Sequence, residues 1–255
     1  MPKRLLTDLS RDELTAWVES TGNASYRADQ IRRWIYGKRV NSFDEMHDVS
    51  AGLRNLMKEE FELFGSSTVR HQVSKDGTEK LLLEMKDGEH VECVLMREEK
   101  RQTVCISTQI GCAMGCVFCA SGLLGLKRDL STGEILDQIL RLDRLLTSEE
   151  RITNVVIMGM GEPLANLKNL IPALLTLNEK GGMGLGARRI TVSTVGLPEK
   201  IKELSEMNIP FNLAVSLHAP NDDLRNEIVP VNKNIQLERI MQAADDYFDK
   251  TGRRI

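Results

Sequence analysis

"CAMGCVFC", residues 112–119, sets three cysteines on one short stretch, with three and then two residues between them. It directly follows the apolar run "TVCIST" (103–108), which reads as a strand, so the thiols stand on a loop at a strand's C-terminal end. Thiolates select zinc or iron–sulfur clusters. Structural zinc takes four tetrahedral ligands, commonly as two pairs far apart in sequence, and no second pair occurs here. A four-iron cluster that only moves electrons is held by four thiolates. Three leave one iron open to a substrate or cofactor. From the residues alone, Cys112, Cys116 and Cys119 therefore point to a cluster with an open corner; a zinc module and buried free thiols are the alternatives. The chain has five cysteines in all, an odd and crowded set that is no disulfide framework and points to the cytoplasm.

Outward from this loop the pattern repeats as strand, then helix. Ser131-Thr132-Gly133-Glu134 caps a helix carrying Ile135, Ile139, Leu142 and Leu146 on one stripe. "TNVVIMG" (153–159) is the next strand, followed by a helix around 167–177. "RRITVST" (188–194) is a third, with a helix from Pro198 to Met207. "FNLAVSLHA" (211–219) is a fourth, with a helix from about Leu237 to Asp249, and "RRI" (253–255) looks like a fifth beginning. Strands buried on both faces and alternating with amphipathic helices predict a parallel α/β sheet, open or curled toward a barrel. Chemistry in such folds sits at the C-terminal ends of the strands. The other candidates end strands in this way: Gly161 and Glu162 in "GMGEPL", Ser193, and Ser216 with His218.

Upstream the periodicity changes. "GTEKLLLEMKDGEHVECVLMRE" (77–98) alternates around Lys86-Asp87-Gly88, a hairpin signal. The first sixty residues read as short helices, opened by capping boxes at Ser10–Glu13 and Ser42–Glu45. Three domains are expected: helical over 1–62, a hairpin connector over 63–101, and the α/β unit over 102–255. Bases bunch in "YRADQIRRWIYGKR" (26–39), which reads as a solvated helix face or as an RNA-facing surface with interleaved aromatics, the solvated face being the commoner outcome. Net charge is −3, so no global basic field announces nucleic acid. Hydrophobic content of 41% and charged content of 28% fit a globular chain, and no stretch reads as a signal core or membrane span.

The cluster motif resembles the loop of the radical S-adenosylmethionine (SAM) superfamily. Together, "TVCISTQIGCAMGCVFCASG", "VVIMGMGEPLANL", "ITVSTVGLP" and "AVSLHAPND" resemble the radical-SAM RNA adenine-C2 methyltransferases, the RlmN/Cfr type, and "YRADQIRRWIY" resembles their accessory helical domain. The resemblance covers essentially the whole chain. It implies an incomplete (βα) partial barrel with an N-terminal helical domain and a hairpin connector, and a [4Fe-4S] cluster on Cys112, Cys116 and Cys119. It further implies SAM at Gly161, Glu162, Ser193 and the Ser216-Leu217-His218 motif. Cys105 matches the family's cysteine that releases the RNA adduct, and Glu92 its acid/base glutamate; Cys93 has no counterpart and reads as packing. The implied substrates are an adenosine of 23S rRNA and, in many members, of tRNA. The implied partner is an electron donor of the flavodoxin or ferredoxin type, with the enzyme a cytoplasmic monomer. The family also carries a methyl group on a cysteine near its C-terminus. No cysteine follows Cys119 here, so the expectation is a truncated chain that does not complete methyl transfer.

Overall fold

Local chemistry starts the N-terminal helices and apolar stripes bring them together. β1 (Arg4–Leu5) leads into α1 (Arg11–Ser20), α2 (Tyr26–Gly37) and α3 (Ala51–Glu60), and β2 (Phe61–Glu62) pairs with β1 in parallel. Ser10 and Glu13 form the expected reciprocal capping box, and Ser50 caps α3. The box expected at Ser42–Glu45 is different. Glu45 accepts from Asn41 N and Ser42 Oγ, but the chain makes only one turn of 3-10 helix at Phe43–Glu45. Phe43, Met46 and Val49, spaced by three, all enter the helical core, which a short turn allows.

A computed structural model describes residues 3–207 and 209–255. After β2 come β3 (Ser66–Val73), β4 (Glu79–Met85), β5 (His90–Glu98) and β6 (Arg101–Cys105). β7 (Gln109–Gly111), α4 (Ala120–Leu123) and β8 (Leu126–Asp129) frame the cysteine loop, and α5 (Thr132–Asp143) follows. The remainder is β9 (Asn154–Ile157), α6 (Leu167–Asn178), β10 (Ile190–Thr194), α7 (Pro198–Ser205), β11 (Asn212–Val215), α8 (Asp222–Ile228), α9 (Asn232–Ile235) and α10 (Leu237–Thr251). One seven-stranded sheet runs β11-β10-β9-β6-β5-β4-β3. It is antiparallel from β3 to β6 and parallel from β6 through β9 and β10 to β11. The hairpin strands and the βα strands thus share one continuous sheet.

Register divides that sheet into two faces. Leu82 pairs with Glu92, Val94 with Cys105, Cys105 with Val156, and Val156 with Thr191. Because side chains alternate, Glu92, Cys105 and Ser193 lie on one face. The other face carries Leu81, Leu83, Cys93, Val104, Val155 and Val192, all buried in a core with α5 and α6. Cys93 is therefore packing, as expected; burial pushes its thiol far up, which makes it inert. Residues 253–255 form no strand: α10 ends on Gly252 at φ +65°, whose N–H reaches Phe248 O at 2.7 Å.

The basic run of α2 turns out to be mostly a fastening. Arg32 is 2% exposed and ion-paired with Glu179 past the end of α6. Arg39, at φ +55°, forks onto both oxygens of Asp143 at 2.8 and 3.1 Å and donates to Leu146 O, Thr147 O and Glu150 O. Arg27 donates to Asp48 O and Gln30. Only Arg33 and Lys38 of the four bases at 32, 33, 38 and 39 are exposed. Asp8 accepts from Gly133 N and Asp137 from Gly65 N, so α5 is tied to the helical unit and to the start of β3.

Candidate functional site

The cysteine loop is clipped at its base by a short ribbon that sequence reading did not foresee. β7 and β8 pair antiparallel, and Cys112 N donates to Gly125 O at 3.1 Å. Gly111 sits at φ +76°, where an added Cβ would stand 1.8 Å from Gly125 O, so only glycine closes the clip. Within the loop Cys119 N donates to Cys116 O, and Val117 N donates to Ile228 O at the end of α8. The loop is thereby pressed against the C-terminal ends of the parallel strands.

There Cys112, Cys116 and Cys119 line one cavity of about 260 Å3 together with Gly161, Glu162, Ser193, Ser216 and His218. Met114, Phe118, Thr194 and Val195 are also in its wall, with the chain from Ile157 to Gly159 and Pro163. A larger cleft of about 930 Å3, on the side of Arg39 and Glu150, contains none of these groups. Burial raises the thiols of Cys112 and Cys116, and the neighbouring thiols add to the rise at Cys116. Such thiols ionise when a metal takes the place of the proton. Among the described residues no three His, Cys, Asp or Glu side chains converge on a single ion; the thiols line the wall of a cavity. Three soft donors so arranged fit a polynuclear iron–sulfur group.

Glu162 is 3% exposed, and both its oxygens are in use: Oε1 accepts from Leu164 N at 3.1 Å and Oε2 from Val195 N at 2.8 Å. Burial raises its carboxyl despite these donors. It staples the turn after β9 to the end of β10; the Thr194 side chain also bonds to it, and the remaining lone pair can accept from an ammonium. Gly161, at φ +100°, is needed for packing: a Cβ would lie 2.6 Å from Gln109 Cβ. Ser193 Oγ and Ser216 Oγ stand 3.4 Å apart across β10 and β11. His218, at φ +61°, lays its ring against Phe118 with centroids 4.5 Å apart. Leu217 is not in this wall. It lines an apolar groove with Val215, Ile240 and Phe248, and its carbonyl accepts from Arg225.

Glu92 and Cys105 share the open sheet face with Ser193 but lie outside the cavity lining. Glu92 Oε1 pairs with Lys80 Nζ at 2.9 Å, a diagonal cross-strand contact that register alone creates. Burial raises the Cys105 thiol, and Met158 lowers it less through a backbone hydrogen bond. One residue near the site gave no sequence signal: Arg225 on α8 is 0% exposed. An arginine in a short polar helix reads as surface.

Known proteins resemble this chain along nearly its whole length. Residues 5–63 match the family of the ribosomal RNA large subunit methyltransferase N-terminal domain, and residues 106–254 match the radical SAM superfamily. A Rhodopirellula baltica protein named "Probable dual-specificity RNA methyltransferase RlmN" is 52% identical over 253 residues, which span 99% of this chain and 68% of that protein. An Enterococcus faecalis protein of the same name is 43% identical over 258 residues, covering 100% of this chain and 72% of its own. The crystal structure of a radical SAM methyltransferase from Sphaerobacter thermophilus superimposes with a TM-score of 0.95 at 41% identity, over 98% of this chain and 74% of that one.

Proposed function

The chain belongs to the RlmN-type radical SAM methyltransferases, and on that premise we propose that its substrate is an adenosine of 23S rRNA, with tRNA as a second substrate class. Cys112, Cys116 and Cys119 would hold a [4Fe-4S] cluster, and Gly161, Glu162, Ser193, Ser216 and His218 would hold SAM. The observation that carries this reading is one cavity at the strand ends that joins three thiols to a buried carboxylate and two facing hydroxyls.

When bound, cluster and SAM would together supply radical chemistry, which suits adenine C2, an electron-poor amidine carbon that polar methyl transfer does not serve. The chain's own groups position and protect. Glu162 offers the one carboxylate of the cavity wall to a cationic ammonium, in a dry setting where a charge-assisted bond is strong. Ser193 and Ser216 supply hydroxyls to a carboxylate or ribose. The Phe118–His218 pair walls the cavity beside the thiols. On the same sheet face, Cys105 and Glu92 are the thiol and the base that would complete release from the ring, and Lys80 holds Glu92 by its ion pair. A flavodoxin- or ferredoxin-type donor would supply the electron. Among the described residues no helix is long and apolar enough to cross a membrane.

The test is anaerobic reconstitution of the full chain. Equal iron and sulfide, in the ratio of a four-iron cluster, and SAM cleavage to 5′-deoxyadenosine under reductant are expected, with both lost in Cys116→Ala. One zinc per chain without SAM cleavage would overturn the reading. For the substrate, binding to a 23S rRNA fragment should weaken steeply with salt; equal affinity for duplex DNA at every salt concentration would remove RNA from the proposal.

A further inference from the structure

Arg225 is a fully buried guanidinium whose hydrogen-bond acceptors are all neutral. Nε donates to Leu217 O at 3.0 Å, Nη1 to Asn232 Oδ1, and Nη2 to Val195 O at 2.5 Å and Ser216 O at 3.4 Å. Asp222 stands one amide away, accepting at 2.8 Å from Asn232 Nδ2 rather than from the arginine. A buried cation whose direct partners are all neutral, with Asp222 only at one remove, is costly, and a folded protein that keeps one gains where a further anion lies opposite.

The neighbourhood contains such a place. Arg225 sits on α8, whose terminal Ile228 carbonyl takes the N–H of Val117, between Cys116 and Cys119. A Cβ on Gly115 would touch Pro230, two residues past that helix, so the cysteine loop rests on the same short segment. Arg225 also donates to the carbonyls of Val195 and Ser216, two residues of the cavity wall to which Cys116 belongs. A four-iron cluster held by three thiolates is anionic, and more so once it accepts an electron.

We propose that Arg225 is a positioning and potential-setting residue: its buried charge offsets that of the thiolate-bound cluster and favours the reduced state, while its fork holds the ends of β10 and β11 in place beneath Ser193 and Ser216. The role is electrostatic. One electron enters the cluster from the external one-electron donor, no bond to Arg225 forms or breaks, and no proton moves through it. The inference rests on the reading of Cys112, Cys116 and Cys119 as cluster ligands. It assigns a function to a residue outside the cavity wall.

The experiment compares wild type, Arg225→Gln and Arg225→Lys, each reconstituted anaerobically as the full chain. The readouts are iron content, the midpoint potential from a spectroscopic redox titration, and SAM affinity by calorimetry. Arg225→Gln is expected to lower the equilibrium constant for reduction by about tenfold, about 59 mV for one electron. Arg225→Lys keeps the charge and should stay near the wild-type potential, while losing SAM affinity because the fork is gone. If Arg225→Gln assembles no cluster, Arg225→Lys is still expected to assemble one near the wild-type potential. An unchanged potential in Arg225→Gln, a fall in Arg225→Lys equal to that in Arg225→Gln, or failure of both variants to take iron would overturn the proposal. Wild type that binds no iron would instead overturn the cluster reading itself.

Discussion

Arg39→Ala should separate the helical unit from the sheet. The arginine reaches 104 residues along the chain to Asp143, whose side chain is 8% exposed, and donates to three carbonyls beyond the C-terminus of α5. Breaking a buried pair by removing one partner costs about 3–5 kcal/mol. Arg39 is itself 22% exposed, which screens part of that loss, so about 3 kcal/mol is the working value. For a chain of this size that lowers the melting temperature by about 6–12 °C. Arg39→Gly dissects the effect. At φ +55° an L side chain costs about 1 kcal/mol that glycine does not, so the glycine variant should melt above the alanine variant though it makes the same contacts. Asp143→Ala and the double variant complete a cycle, and the two losses should fall well short of additive. The assay is thermal unfolding followed by circular dichroism. A change of less than about 2 °C in Arg39→Ala, or additive losses in the cycle, would refute the reasoning, because both would mean that the fork is a surface contact.

Glu162→Ala removes the acceptor of two buried N–H groups, so a loss of about 2–6 kcal/mol is expected in unfolding experiments. Glu162→Gln, which keeps one acceptor oxygen, should lose about half as much, and equal stability of the two variants would contradict the staple. Reversing Arg33 and Lys38 together should flatten the salt dependence of RNA binding by at most about two units. Arg32→Glu should instead destabilise the fold, since Arg32 is buried against Glu179; a larger fall in salt slope from Arg32→Glu than from the pair would argue for the surface reading. Burial raises the carboxyl of Asp137 more than Arg141 and Gly65 N lower it. Its contribution is therefore full below the unfolded pKa and is lost as pH rises through the folded one. Asp137→Asn should gain on wild type in melting temperature as pH rises above about 4, the unfolded value; a difference that stays flat would show that the group is ionised without penalty.

What sequence could show was local or periodic. The capping box at Ser10–Glu13 acts across three residues, the alternation of "EKLLLEM" is a property of the strand itself, and the cysteine spacing lies within eight residues. From these the helical start, the hairpin, the βα rhythm and the cysteine loop at the strand ends were legible, and the strand-end rule brought Glu162, Ser193, Ser216 and His218 to one place. The same locality explains the failure at Ser42–Glu45. A box can start a turn, but the core positions of Phe43, Met46 and Val49 decided how far it ran.

Charged and polar groups behaved otherwise, because their role depends on partners that only the fold supplies. "IRRW" reads as one basic face, yet Arg32 is sealed against Glu179 while Arg33 meets solvent. Glu162 reads as a ligand carboxylate, and the fold makes it a staple as well, reaching 33 residues to Val195 N. Leu217 sits between two cavity residues but faces a different groove, past the end of β11 where the chain turns at His218. The Glu92–Lys80 pair exists only in one register of β4 against β5, and the interior place of Arg225 only once β10, β11 and α9 present their carbonyl and amide oxygens to it. Sequence by itself determined which chemistry the chain carries, since thiol spacing and backbone periodicity are written in neighbouring residues. Tertiary structure alone decided which charges are buried, because desolvation and its compensation are properties of groups brought together from distant parts of the chain.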